Sequence, residues 1–180
     1  MERFSRFSRF FFVLALVLFV VSCSSSKTFQ VVPEPVLDQQ SVISDEVCLR
    51  SFVFFDRRPC VYFRAEKDNA TGQIQYFLLY EIGNFDVDLP LGVSMKLGDS
   101  WYNLKKTNTD YSDTIVVTSA VSAEIIPKIN ESKQIIISYT NRKETLNYNL
   151  NASRVASLQS NLTKLFRAIE SNPKLNIIKK

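Results

Sequence analysis

The fold of this chain is decided by residues 134–170, which read QIIISYTNRKETLNYNLNASRVASLQSNLTKLFRAIE. The first part predicts a β-hairpin whose strands, Gln134 to Tyr139 and Glu144 to Leu150, are joined by the polar segment 140–143. In the second strand, leucine and tyrosine alternate with asparagine, which is typical of a strand with one buried and one solvated face. The segment therefore predicts a sheet of which one side faces a core and the other faces water.

A helix is predicted directly after the hairpin. Asn151 is its expected N-cap, and it runs to about Glu170, before the helix-ending sequence Ser171-Asn172-Pro173. Few basic residues lie on its polar face, so packing on the sheet is predicted rather than contact with a membrane surface. Its apolar residues recur at helical spacing and form one stripe, namely Val155, Leu158, Leu162, Leu165, Phe166 and Ile169.

Six segments upstream of the hairpin are predicted as strands because they are rich in aromatic and β-branched residues and are separated by turn-forming residues. A short helix is predicted from Ala123 to about Asn130, with Ser122 as its cap. Together these elements predict one α+β domain over residues 47–171, an antiparallel β-sheet or partial sandwich packed by a C-terminal amphipathic helix. The six predicted strands are Cys48 to Phe55, Val61 to Glu66, Gln73 to Ile82, Leu91 to Leu97, Trp101 to Lys105 and Thr114 to Val121.

The N-terminus is first basic and then apolar. Arg3, Arg6 and Arg9 precede an unbroken apolar run from Phe10 to Val21, which is well short of the roughly 20 residues that a transmembrane helix needs. The run ends in Val20-Val21-Ser22-Cys23, where a small residue precedes the cysteine. This segment resembles the signal peptide and lipobox of bacterial lipoproteins, with valine three positions before the cysteine where the family prefers leucine.

The resemblance implies that residues 1–22 are a lipoprotein signal peptide and that Cys23 carries fatty acyl chains such as palmitate. Two or three chains would anchor the protein firmly, since each buried methylene contributes about 0.8 kcal/mol. Because Ser24 is not the aspartate associated with inner-membrane retention, the predicted location is the outer membrane of a bacterial cell envelope, on its periplasmic or surface face. Residues 23–46 are predicted to be a flexible tether, since they are rich in serine and proline and lack sustained periodicity; a partly docked edge segment at Phe29-Gln30-Val31-Val32 is the alternative within it. Residues 172–180 are predicted to be a basic tail.

The positive charge of the chain belongs largely to this N-terminal segment. The formal charge of +4 falls to +2 without residues 1–22, which hold three arginines and one glutamate. Only basic doublets remain, so a nucleic-acid partner is not expected. The predicted partners are the membrane, through the acyl chains on Cys23, and an envelope protein.

The residues needed for common catalytic centres are missing from the chain. With no histidine, it lacks Ser-His-Asp and Cys-His sites and histidine metal clusters, and its four glycines match no phosphate-binding spacing. We therefore predict no enzyme activity, no cofactor and no metal site. Asp86 and Asp88 are the best remaining carboxylate pair, and a Ser-Lys dyad stays open as a histidine-free alternative.

Cys48 and Cys60 predict a disulfide, because an even pair of cysteines in an exported domain is usually bridged. A plain hairpin turning at Arg57-Arg58 would pair Cys60 with about Phe55 and leave Cys48 too far away to bridge. The bridge therefore requires strands that bend or lie in different sheets, and otherwise the thiols stay free.

These observations favour a structural or interaction module of an outer-membrane or periplasmic assembly. A second hypothesis is a binder of a lipid or other apolar ligand between the sheet and the C-terminal helix. Tyr76, Tyr80, Trp101 and Tyr102 would line that pocket. The histidine-free enzyme is the third.

Overall fold

The computed structural model describes residues 30–34, 39–50, 58–83 and 88–171. Within these ranges the chain forms eleven strands and two helices. In chain order they are β1 (Gln30–Glu34), β2 (Gln39–Ile43), β3 (Val47–Cys48), β4 (Cys60–Asp68), β5 (Ile74–Gly83), β6 (Pro90–Leu97), β7 (Ser100–Asn103), β8 (Lys105–Tyr111), β9 (Thr114–Val121), α1 (Ile125–Glu131), β10 (Ile135–Asn141), β11 (Thr145–Asn149) and α2 (Ala152–Ser171).

The strands build two antiparallel sheets. The large sheet has the order β1-β2-β4-β5-β9-β8, and β3 also pairs with β4; the small sheet has the order β11-β10-β6-β7. Helix α2 packs on β2, β3 and β4 of the large sheet. The predicted α+β fold, an antiparallel sheet closed by a C-terminal helix, is confirmed.

One face of the large sheet carries the core. Phe63 of β4 lies opposite Leu78 of β5, and Val61 lies opposite Tyr80; all four are at most 1% exposed. The small sheet covers this face over β5, where Tyr80 stacks on Tyr139 of β10. Both layers belong to one continuous hydrophobic cluster. The two sheets and α2 therefore fold as one unit.

Helix α2 buries the stripe that its sequence predicts. Val155, Leu158, Leu162, Leu165 and Ile169 are at most 5% exposed, and Phe166 is half-buried at the margin. The backbone N–H of Arg154 donates to Asn151 Oδ1 at 3.0 Å, which is the expected side-chain cap. Asn161 interrupts the apolar stripe, and its Nδ2 donates to the carbonyl of Asp45 at 2.9 Å. This bond ties the helix to the segment between β2 and β3.

The two sheets share a corner at Leu104, the single residue between β7 and β8. Its N–H donates to the carbonyl of Val93 at 3.1 Å, so it continues the pairing of β7 with β6. The following strand, β8, pairs with β9 of the large sheet. The buried Leu104 side chain thus marks the point where one extended segment passes from the small sheet to the large one.

The predicted tether over residues 23–46 is wrong in its second part. β1 pairs with β2, and β2 pairs with β4, so both strands belong to the large sheet. The alternation in β2 is hidden because Gln40 and Ser41 are polar residues at buried positions. β2 is held in the sheet by backbone hydrogen bonds to β4, and these bonds do not depend on the type of side chain.

Three other boundaries differ from the prediction. The strand predicted from Cys48 to Phe55 is not continuous, since β3 ends at Cys48 and a bend follows at residues 49–50. Ser122 does not cap the short helix: Glu124 is the N-cap of α1 and makes no side-chain cap bond. The exposed, polar β8 was expected to be a strand end and a loop.

Candidate functional site

The disulfide between Cys48 and Cys60 is present. The two cysteines are direct partners in the β3–β4 pairing, with Cα atoms 3.9 Å apart. The Leu49 N–H donates to the Pro59 carbonyl beside them, so this is a non-hydrogen-bonded pair, the position at which cross-strand side chains come closest. The geometric objection from a tight hairpin does not hold, because the β3–β4 register places Cys48, and not Phe55, opposite Cys60.

The same cysteines lie beside a carboxylate. A Glu46 carboxylate oxygen and the two sulfurs lie within 4.8 Å of one another, the spacing of a small metal site. Both sulfurs are joined in the disulfide, however, and only a thiolate is a good metal ligand. In this oxidised form the cluster offers the oxygens of Glu46 alone.

Tyr80 lies in the core between the two sheets, not in an open pocket. It is 0% exposed, and its ring stacks on that of Tyr139 with centroids 4.5 Å apart. Its hydroxyl donates to the Tyr148 hydroxyl at 3.5 Å. Burial, followed by the bond to Tyr148, raises the pKa of Tyr80 above its ordinary range. A neutral, packed tyrosine is a structural element here.

The other three residues of the predicted pocket lie in separate places. Tyr76 makes an edge contact with Phe166 of α2 at 5.0 Å between ring centroids. The Tyr102 ring lies 4.9 Å from Lys128 Nζ of α1. Trp101 belongs to the opposite face of β7 and is 51% exposed. The predicted grouping around one pocket between sheet and helix is therefore not what the structure has.

The predicted carboxylate pair is only partly described. Asp88 Oδ2 lies 2.6 Å from Lys143 Nζ, so this carboxylate takes part in an ion pair beside the β10–β11 turn. Asp86 lies outside the described residues, as does Cys23.

The outer face of the small sheet carries mostly polar side chains. Its residues alternate with Val93, Met95, Ile137 and Tyr139, which are at most 1% exposed and fix the inner side of the sheet. Strand pairing then aligns the outward residues in rows that cross all four strands. We call this surface the Trp101 face, and its two complete rows are Asn147–Ser138–Ser94–Asn103 and Asn149–Ile136–Lys96–Trp101.

Hydrogen bonds between neighbouring strands hold part of this face in place. Ser94 Oγ donates to Asn103 Oδ1 at 2.8 Å, and the hydroxyls of Thr140 and Thr145, in the next row, are 3.0 Å apart. Each asparagine amide offers one acceptor and two donors. Asn103, Asn147 and Asn149 are exposed at the sides of the face. The amides of Asn147 and Asn149 and the Nδ2 group of Asn103 can therefore bond a ligand, while Asn103 Oδ1 already accepts from Ser94.

The face is nearly uncharged, and Lys96 is the one charged residue in its two complete rows. Lys96 lies between Ile136, which is half-buried, and Trp101. The first row is therefore wholly polar and the second is partly apolar. A flat surface of this composition suits a ligand that has both apolar faces and many hydroxyl or amide groups.

The sequence predicts all four strands of this face but identifies the outward residues of β11 alone. The wet asparagines of β11 were recognised from their alternation, but Trp101 was assigned to a pocket. The alternation of Ser94 and Lys96 with Val93 and Met95 was the available signal. Which outward residues meet across strands depends on the register, which the sequence does not state.

Comparison with known proteins assigns no family and no function to this chain. Among the described residues, neither helix is both long and apolar enough to cross a bilayer. No protein-family model matches this chain, and neither does any curated protein or solved structure with which it was compared.

Proposed function

We propose that this chain is a lipid-anchored protein of the bacterial cell envelope that acts as an interaction module. Acyl chains on Cys23 hold it to the outer membrane, and the domain presents a fixed surface to an envelope partner. The proposal assigns no catalytic step to any residue.

The Cys48–Cys60 disulfide is the observation that carries this proposal. Stable disulfides belong to oxidising compartments such as the periplasm and the cell surface. The bridge joins residues that are already strand partners, so it suits an oxidised state that persists. This agrees with the export that Val20-Val21-Ser22-Cys23 predicts.

The Trp101 face supports the interaction role. The strands of the face are fixed by their buried inner side chains, so the face needs no rearrangement before a partner binds. Trp101 lies on β7, the edge strand of the small sheet, and its half-exposed ring adds an apolar contact surface beside the polar side chains.

The test is metabolic labelling with a fatty-acid analogue in cells that express the full chain. We expect Cys23→Ala to abolish the label and to leave an uncleaved or mislocalised precursor on fractionation. The matched control is the double variant Cys48→Ala/Cys60→Ala, which should keep the label because Cys23 is unchanged. Normal labelling and membrane fractionation of Cys23→Ala would overturn the proposed anchor and location.

A further inference from the structure

The Trp101 face combines three kinds of group in a small area. Trp101 offers a large, flat, apolar ring, Ile136 a smaller apolar patch, and Asn103, Asn147 and Asn149 exposed amides. Four strands at about 4.8 Å and two rows at about 7 Å give a platform on the order of 100 Å² between Cα positions. A ligand a few rings long would cover these two rows, whereas a protein partner would have to contact surface beyond them, since each partner buries roughly 800 Å² in a stable protein complex.

The charge of the face narrows the choice of ligand further. Lys96 is a single cation without a carboxylate neighbour in either complete row, so the face is neutral to weakly positive. Nucleic acid and anionic membranes select clusters of cations, which are missing from these rows. A ligand of low charge density that bears an occasional carboxylate complements the face better.

We propose that the Trp101 face binds the glycan strands of the cell wall, which are linear chains of N-acetylated sugar rings. The location of the protein beside the wall rests on the proposed function, whereas the binding itself rests on the residues of the face. A sugar ring has an apolar face of C–H groups and a rim of hydroxyls, and the acetamido group adds a methyl and an amide.

Each group on the face has a counterpart in such a chain. The Trp101 ring stacks on the apolar face of one sugar ring, as amphipathic aromatic side chains do where one side is apolar and the other wet. Ile136 lies one strand beyond Lys96 in the same row and receives an acetamido methyl. The amides of Asn103 and Asn149 bond the hydroxyl and acetamido groups, and Lys96 pairs with a carboxylate of the wall.

The first test uses Trp101 as its own reporter. The chain has one tryptophan, so fluorescence excited at a wavelength that its seven tyrosines do not absorb reports on this face alone. A soluble tetramer of N-acetylglucosamine should shift the emission to shorter wavelengths in a saturable way, because stacking removes the ring from water. The corresponding glucose tetramer, which lacks acetamido groups, should bind more weakly. No shift with either sugar, or an equal response to both, would overturn the proposal.

The second test is co-sedimentation with purified cell-wall sacculi. Trp101→Ala should weaken binding about tenfold or more, the loss expected when the main aromatic contact of a binding surface is removed. Tyr111→Ala is the matched control, because Tyr111 is also an exposed aromatic residue, at 57%, but lies on β8 of the large sheet. An equal loss in both variants, or none in Trp101→Ala, would contradict the assignment. A fluorescence shift on raising protein concentration without sugar would contradict it too, since a second copy would then cover the face.

The two proposals fail in different ways. If Cys23 is acylated but neither sugar nor sacculi bind, the glycan assignment falls and the anchored module remains. If the purified protein binds the tetramer through Trp101 but Cys23→Ala labels normally, the face keeps its ligand and the proposed location falls.

Discussion

Gln159 shows how a single side chain joins two helices. Its Nε2 donates to the carbonyls of Ile129, Asn130 and Ser132 at 2.9, 3.1 and 2.9 Å. These carbonyls lie at the C-terminal end of α1, where the last turn of a helix lacks internal partners. The amide of α2 therefore caps α1 from outside.

Replacing this side chain should destabilise the fold measurably. We expect Gln159→Leu to lower the free energy of unfolding by about 1 to 2 kcal/mol, because it removes the bonds but keeps the side-chain volume. Urea unfolding followed by circular dichroism measures the change. Gln75→Leu is the control, since Gln75 is an exposed glutamine on β5. A similar cost in both variants would show that the cap contributes nothing.

At the residue scale, the sequence predicts which side chains are buried better than which residues they contact. The α2 stripe is correct because its period alone defines the buried side of a helix. The four aromatic residues of the predicted pocket look equivalent in the sequence but have different surroundings in the structure. Tyr76 contacts α2, Tyr80 lies in the core, Trp101 faces solvent and Tyr102 lies beside Lys128. Strand register and the corner at Leu104 decide these differences, and neither is local in sequence.

At the scale of elements, the β3–β4 pair depends on its bridge. β3 has only two residues, so its backbone pairing alone is weak. The disulfide joins residues 12 positions apart. By restricting the unfolded chain, it raises the free energy of unfolding by about 3 kcal/mol.

We therefore expect the double variant Cys48→Ser/Cys60→Ser to lose about 3 kcal/mol of unfolding free energy. A reducing agent should lower the stability of the parent protein by a similar amount and leave the variant unchanged. Denaturant titrations with and without the reductant make this comparison. Equal stability of the oxidised parent and the variant would mean that strand pairing and packing already hold β3.

Strand prediction succeeded where apolar residues alternate and failed where they do not. β9 has the predicted bounds, and β5 differs by one residue at each end. β2 and β8 were missed because both are mostly polar, and their pairing depends on β4 and β9, which lie far away in sequence. Strands at or near the edge of a sheet are held by pairing with the next strand, and their own sequences need few apolar residues.

At the scale of the whole molecule, buried tyrosines make the fold sensitive to alkali. Burial, with Glu81 as the next cause, raises the pKa of Tyr62 to about 12 from the ordinary 10.0. Burial also raises the pKa values of Tyr76 and Tyr80. A raised pKa means that the folded state holds the proton more tightly, so this contribution to stability is complete below pH 10.0 and is lost as pH rises toward about 12.

The unfolding free energy should accordingly fall between pH 10 and pH 12, in step with tyrosinate absorbance. Tyr62→Phe should reduce this fall, since phenylalanine has no proton to lose. Urea midpoints measured across the same pH range test the expectation. A steeper decline in Tyr62→Phe than in the parent would contradict it.

If Cys23 carries the proposed acyl chains, the position of β1 limits how far the domain can lie from the membrane. A tether through residue 46 would let the domain reach about 80 Å from Cys23. β1 begins at Gln30, only seven residues after Cys23, and seven extended residues span at most about 25 Å. The domain is then confined to a thin layer next to the bilayer, where its local concentration is high and its orientations are few. A partner must then lie within that layer to bind the domain. The number of residues between Cys23 and β1 thus sets the largest distance between the membrane and a bound partner.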